Sequence, residues 1–121
     1  MIYLISLLLS LNMTVAPPDE PVEWLGETTF DMGDILRGED HVHIFKFRNL
    51  TDAPILVENV RVGCGCTATD WNNVPVAPGE VGSINVRYDA MNAGYFRKYV
   101  KVFFYGHRGG HKLWLEGFVE N

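Results

Sequence analysis

A chain of 121 residues carrying a net charge of −5, with 47% apolar and 21% charged residues, has the composition of one globular domain and excludes a disordered chain. No basic run interrupts it, so a nucleic-acid partner is not expected. Seven Phe, five Tyr and three Trp lean the chain toward strands.

The N-terminal run Ile2 to Leu11 is apolar, of the length of a signal-peptide core and too short to span a bilayer. Thr14 and Ala16 supply small residues before a cut, although no Lys or Arg precedes the run and Pro17 would follow the cleavage site. Residues 1–16 are therefore expected to be a signal peptide, and the mature chain to be periplasmic or at the cell surface. A cysteine for a lipid anchor does not follow the run, and no stable membrane span is expected. Residues 17–23, Pro-Pro-Asp-Glu-Pro-Val-Glu, read as an extended, proline-rich linker.

From residue 24 to residue 121 the chain breaks into short extended runs separated by turn formers. Thr28 to Met32 reads as a strand stopped by Gly33-Asp34, and Ile35 to Asp40 as a turn. Val42 to Asn49 is a strand whose apolar phase switches, from Val42 and Ile44 to Phe45 and Phe47. Such a switch implies either that both faces are covered or that a bulge re-aims the strand. Ile55 to Val62 feeds the next corner, and Pro78-Gly79-Glu80 fits a type II turn with Pro at i+1 and Gly at i+2. Ser83 to Tyr88 alternates cleanly, with Ile84, Val86 and Tyr88 on one face. In Phe96 to Tyr105 the even positions Phe96, Val100, Val102 and Phe104 are assigned to the core, with Lys98 laying its stem along apolar surface. Gly106 to Gly110 then closes a hairpin onto Leu113, Leu115 and Val119. About seven antiparallel strands and no 3.6-residue period predict an all-β, immunoglobulin-like sandwich in residues 24–121.

In order along the chain, Phe45-x-Phe47-x-Asn49, Cys64-Gly65-Cys66-Thr67, Pro78-Gly79-Glu80, Gly94-x-Phe96-x-Lys98 and Leu113-x-Leu115-x-Gly117 resemble the bacterial domain-of-unknown-function family numbered 1573. The resemblance spans roughly residues 28–120 and implies an immunoglobulin-like sandwich in an exported protein of Bacteroidetes-like genomes. It implies no activity. Gly63 stands where many members have a serine, which loosens the turn before the cysteines.

The chemistry-bearing stretch is Cys64-Gly65-Cys66-Thr67. Residues i and i+2 of a strand point the same way, with Cα atoms near the upper limit for a disulfide. Gly65 can take a positive φ and fold the chain back until the sulfurs meet. Three readings stay open: two small packed residues, a strained and readily reduced disulfide pair, or a thiolate pair for soft Cu(I) or Zn(II) needing further ligands. His41 and His43 share one strand face, and His107 and His111 flank a turn, but nothing in the sequence brings either pair to the cysteines. Asp70, Glu80 and Asp89 read as turn acids, and there is no nucleophile elbow, phosphate loop or zincin helix, so no enzyme and no cofactor are expected. Asn12-Met13-Thr14 and Asn49-Leu50-Thr51 match the glycosylation sequon by chance. Trp71, Trp114 and Tyr105 are candidate exposed anchors, with core packing the alternative for at least one. The expected function is a non-enzymatic envelope module that binds protein partners through sheet edges or loops. The alternative is a periplasmic thiol protein using Cys64 and Cys66 for disulfide exchange or soft-metal binding.

Overall fold

The computed structural model describes residues 20–121, so the expected signal peptide and residues 17–19 of the expected linker lie outside the described residues. Eight strands follow in order: β1 (Val22–Leu25), β2 (Thr29–Leu36), β3 (His41–Asn49), β4 (Val57–Val62), β5 (Thr67–Trp71), β6 (Val81–Tyr88), β7 (Gly94–Phe104) and β8 (His111–Glu120). They form two sheets, β1-β3-β6-β5 and β2-β8-β7-β4, packed face to face as a sandwich.

The extra strand over the expected seven is β1. Its sequence hides in the proline-rich stretch, yet Pro21 and Val22 are buried and the Pro21 carbonyl accepts a hydrogen bond from the Leu50 amide at 2.9 Å. The domain therefore takes in the end of the expected linker. β2 is a second correction, because it does not stop at Gly33-Asp34. It runs on to Leu36 through a register slip between Asp31 and Asp34, and it pairs parallel to β8 rather than antiparallel. A glycine inside a strand marks a bulge here, not an end.

The apolar phase of β3 needs neither a bulge nor a cover on both faces. Its ladder to β6 is unbroken from His41 to Arg48. His41, His43, Phe45, Phe47 and Asn49 occupy the inward positions in strict alternation, and Val42 and Ile44 are left exposed, at 56% and 48%. The misreading arose because two inward positions carry imidazoles. The inner faces supply Phe45, Phe47, Ile84, Val86 and Tyr88 from one sheet and Phe96, Val100, Val102, Phe104, Leu113, Leu115 and Val119 from the other. Each such side chain contributes about 1.5–3 kcal/mol by leaving water. Gly82 is required by this packing, since a Cβ there would stand 2.5 Å from the buried Phe47 ring.

Among these inward side chains Asn49 is polar, and it is 1% exposed. Its Nδ2 donates to the Ala53 carbonyl at 2.8 Å and the Val76 carbonyl at 2.9 Å. Its Oδ1 accepts from the Thr51 amide at 2.8 Å and the Thr51 hydroxyl at 2.7 Å. The backbone of the same residue accepts from Gly79 at 2.9 Å and donates to Glu80 at 3.0 Å. That contact seats the expected type II turn, in which Gly79 has φ 78° and the Glu80 amide donates to the Ala77 carbonyl at 3.0 Å. Asn49-Leu50-Thr51 is thus a structural motif: the amide a glycan would occupy is already engaged.

Unlike sheets built for strand addition, these two have four blunted edges between them. β1 and β5 are short, with four and five residues, while β2 and β4 each carry a register slip.

Asn49→Ala removes four side-chain hydrogen bonds and leaves a cavity at a fully buried position, and is expected to cost roughly 2–4 kcal/mol. Gly82→Ala should cost about 1–3 kcal/mol through the Phe47 clash. Urea titration of both variants against wild type measures these losses; a cost for Asn49→Ala below about 1 kcal/mol contradicts the role assigned to it.

Candidate functional site

The cysteine motif occupies the corner where the chain leaves edge strand β4 of one sheet and enters edge strand β5 of the other. Cys64 and Cys66 are joined by a disulfide, with their Cα atoms 5.3 Å apart, so the corner is folded tighter than a strand allows. Gly65 achieves this without a positive φ, contrary to the expectation, and a Cβ on it would meet nothing within 4 Å. The neighbours hold the corner instead. Thr67 is buried, its amide and hydroxyl donating to the Cys64 carbonyl at 3.5 and 3.4 Å, and the Asp89 amide donates to the Cys66 carbonyl at 3.0 Å.

The two sulfurs have different surroundings. Cys66 packs against the hydrophobic core, whereas Cys64 lines a cavity of about 170 Å³ with Gly63, Arg97, Lys98 and Tyr99. Among the described residues no group of three His, Cys, Asp or Glu side chains is placed to hold a metal ion. The histidines are not free ligand arms. His43 lies between the sheets, stacked on Phe30 at 3.6 Å, and His111 accepts a hydrogen bond at Nδ1 from the Trp24 indole at 3.3 Å. Burial pushes the His43 imidazole below its usual range; it does the same for His111, where Glu20 opposes the shift and His107 adds to it. His41 is half-buried, with Nε2 lacking a hydrogen-bond partner among the described residues, and His107 is exposed. Of the turn acids, Asp89 caps its own turn by accepting from the Met91 amide at 3.1 Å.

The expected anchors part company. Trp71 packs against the core, Tyr105 is exposed, and Trp114 stands on the outer face of the β2-β8-β7-β4 sheet. That face is the feature sequence reading missed. Across three strands, Arg61, Lys101 and Lys112 stand in one row, in direct register. Aromatic residues flank the row: Phe103 to one side, Tyr99 opposite Trp114 to the other, then Tyr95 opposite Phe118 beyond the Arg97–Glu116 ion pair. Arg61 sits over Phe103 at 5.0 Å, Lys112 over Tyr99 at 4.7 Å and Arg97 over Trp114 at 3.9 Å. Tyr95 is 70% exposed. Like charges directly opposite on neighbouring strands are unfavourable, and the aromatic faces offset part of that cost.

The family model for proteins of unknown function designated DUF1573 matches residues 23–119. The chain belongs to this family. No curated protein matches it in sequence. Among solved structures it is similar to a protein of unknown function from Porphyromonas gingivalis W83, with TM-score 0.67 and 14% identity, covering 80% of this chain and 46% of that one. It is also similar to the ASH / PapD-like domain 7 of human CEP192, with TM-score 0.65 and 10% identity over 97% of both chains. The SrpA adhesin of Streptococcus sanguinis matches with TM-score 0.54 and 12% identity, over 88% of this chain and 61% of that one. The chain thus spans about half the length of the Porphyromonas protein. At such identities the likeness establishes the fold alone, an immunoglobulin-like β-sandwich.

Three outcomes test this geometry. Because Gly65 is neither left-handed nor crowded, Gly65→Ala should change stability by no more than about 0.5 kcal/mol. Because the disulfide closes a ring of only three residues, its reduction should lower Tm by only a few degrees, about what a 1 kcal/mol loss produces in a domain of this size. The histidines set a pH dependence. Their folded pKa values lie below the unfolded value of 6.5, so the unfolded chain binds protons first as pH falls. The stability they contribute is complete above about pH 6.5 and is lost progressively below it. Urea midpoints at pH 7.5 and 5.0 should differ more for wild type than for His43→Phe; equal slopes would contradict the assignment.

Proposed function

We propose that this chain is a non-catalytic interaction module of the bacterial cell envelope, docking an acidic protein partner on the outer face of the β2-β8-β7-β4 sheet. The observation that carries the reading is the row Arg61–Lys101–Lys112 set between aromatic rows on a chain whose net charge is −5. Three cations in register are a cost to the free domain that an acidic surface would relieve. Tyr, Trp and Arg are also the residue types that anchor protein interfaces, and Tyr99, Trp114 and Arg97 form one contiguous cluster here. The blunted edges favour this face over strand addition. Export is supported by the apolar run at residues 2–11, and the disulfide fits an oxidising compartment.

A photo-crosslinking residue placed at Tyr99 or at Val42 of the full chain, in cells of the source bacterium, tests the docking face. Adducts are expected at Tyr99 and not at Val42 on the opposite sheet. The charge reversal Arg61→Glu/Lys101→Glu/Lys112→Glu should weaken adduct formation about tenfold or more, as should added salt in isolated envelopes. Equal adducts on both faces, none on either, or adducts indifferent to charge would refute the proposal. Fractionation with mass spectrometry of the mature N-terminus tests export. A chain lacking residues 1–16 in the envelope is expected, and a cytoplasmic form retaining them would refute export.

A further inference from the structure

We propose that the Cys64–Cys66 disulfide is an exchangeable bond, with Cys64 Sγ the atom presented to an incoming thiolate of a partner dithiol. Four observations converge on it. The bond ties residues two apart, so it constrains almost none of the unfolded chain and is a poor staple. The corner it spans is already held by the hydrogen bonds of Thr67 and Asp89, which do not involve the sulfurs. The two residues are both half-buried but differ in surroundings: Cys66 packs against the core, while Cys64 lines a cavity of about 170 Å³. That cavity is also lined by Lys98, whose positive charge favours a thiolate on the neighbouring sulfur, and by Arg97, whose charge is shared with Glu116.

The step balances without a cofactor. A partner thiolate attacks Cys64 Sγ along the bond, the sulfur–sulfur bond breaks, and its electron pair leaves on Cys66 Sγ, which takes a proton from water. The partner's second thiolate then attacks its own sulfur in the mixed disulfide, and Cys64 leaves as a thiolate beside Arg97 and Lys98. The partner has lost two electrons and become a disulfide; the chain has gained them and holds two thiols. The reverse sequence, with a partner disulfide, reduces that partner instead. Which direction dominates depends on the partner's own potential.

Small probes keep this test independent of the docking face. The full chain is equilibrated with reduced and oxidised glutathione in varied ratio, and its thiols are counted by alkylation and mass spectrometry. Half-reduction of the folded chain within that range is expected; a disulfide intact at every ratio would overturn the proposal. A synthetic peptide whose single cysteine is carried as an activated disulfide probes the sulfurs separately. Cys66→Ser should form its adduct on Cys64 at least about tenfold faster than Cys64→Ser forms one on Cys66. Equal rates, or the opposite ranking, would count against the assignment of Cys64. Should either variant fail to fold, alkylation rates resolved for each cysteine of the reduced wild type provide the same ranking. Arg97→Gln/Lys98→Gln should slow adduct formation on Cys64 about threefold or more and move its alkylation profile to higher pH. An unmoved profile would remove the two cations from the mechanism. Exchange with glutathione is read on the isolated chain with no docking partner present, which separates failure of this inference from failure of the docking proposal.

Discussion

The amide of Asn49 is the constraint on which the loop end of the sandwich depends. A polar side chain at 1% exposure is tolerable only when every donor and acceptor is used, and here all four positions are filled. Through them one residue at the end of β3 holds the 50–54 loop, the Val76 segment and, by its backbone, the turn at Gly79. Val76 in turn bridges to Ile55 by two backbone hydrogen bonds of 2.9 and 2.7 Å, tying the approach to β4 to the approach to β6. Two irregular stretches, residues 50–54 and 76–80, are thereby fixed by one residue.

The opposite end of the molecule is organised differently. There the β4–β5 corner crosses between sheets, and its carbonyls are taken up by Thr67 and Asp89 rather than by a buried amide. The disulfide adds a covalent link to a turn that hydrogen bonds already define. The cavity that Cys64 lines is also bordered by Arg97 and Tyr99, which belong to the cation–aromatic face. The two candidate sites are neighbours on one surface.

That surface also explains how an acidic protein presents a basic patch. Glu116 on this face is paired with Arg97, while Arg61, Lys101 and Lys112 converge from β4, β7 and β8, each supported by an aromatic ring. Inside the sandwich, aromatic stacking performs a second task by covering His43 with Phe30 and His111 with Trp24 and Phe104. Neutral imidazoles in such positions fill the core like aromatic rings, but they make the interior sensitive to acid.

The sequence by itself determined the sandwich, because period-two alternation and turn residues are local signals. Ile84, Val86 and Tyr88, or Val100, Val102 and Phe104, declare their face without reference to the rest of the chain, and Pro78-Gly79 declares its turn. It also exposed the cysteine motif as the unusual stretch, and the ordered motifs resembled the family to which the chain belongs. Only the tertiary structure decided what depends on register between distant strands. β1 was hidden by the prolines that precede it, the parallel pairing of β2 with β8 by the bulge at Gly33, and the inward course of His41 and His43 by their polarity. Cys64 and Cys66 were equivalent on paper and became different once the core lay against one of them. The basic row was invisible for the same reason: residues 61, 101 and 112 are remote in sequence, and only hydrogen-bonded strands set them side by side.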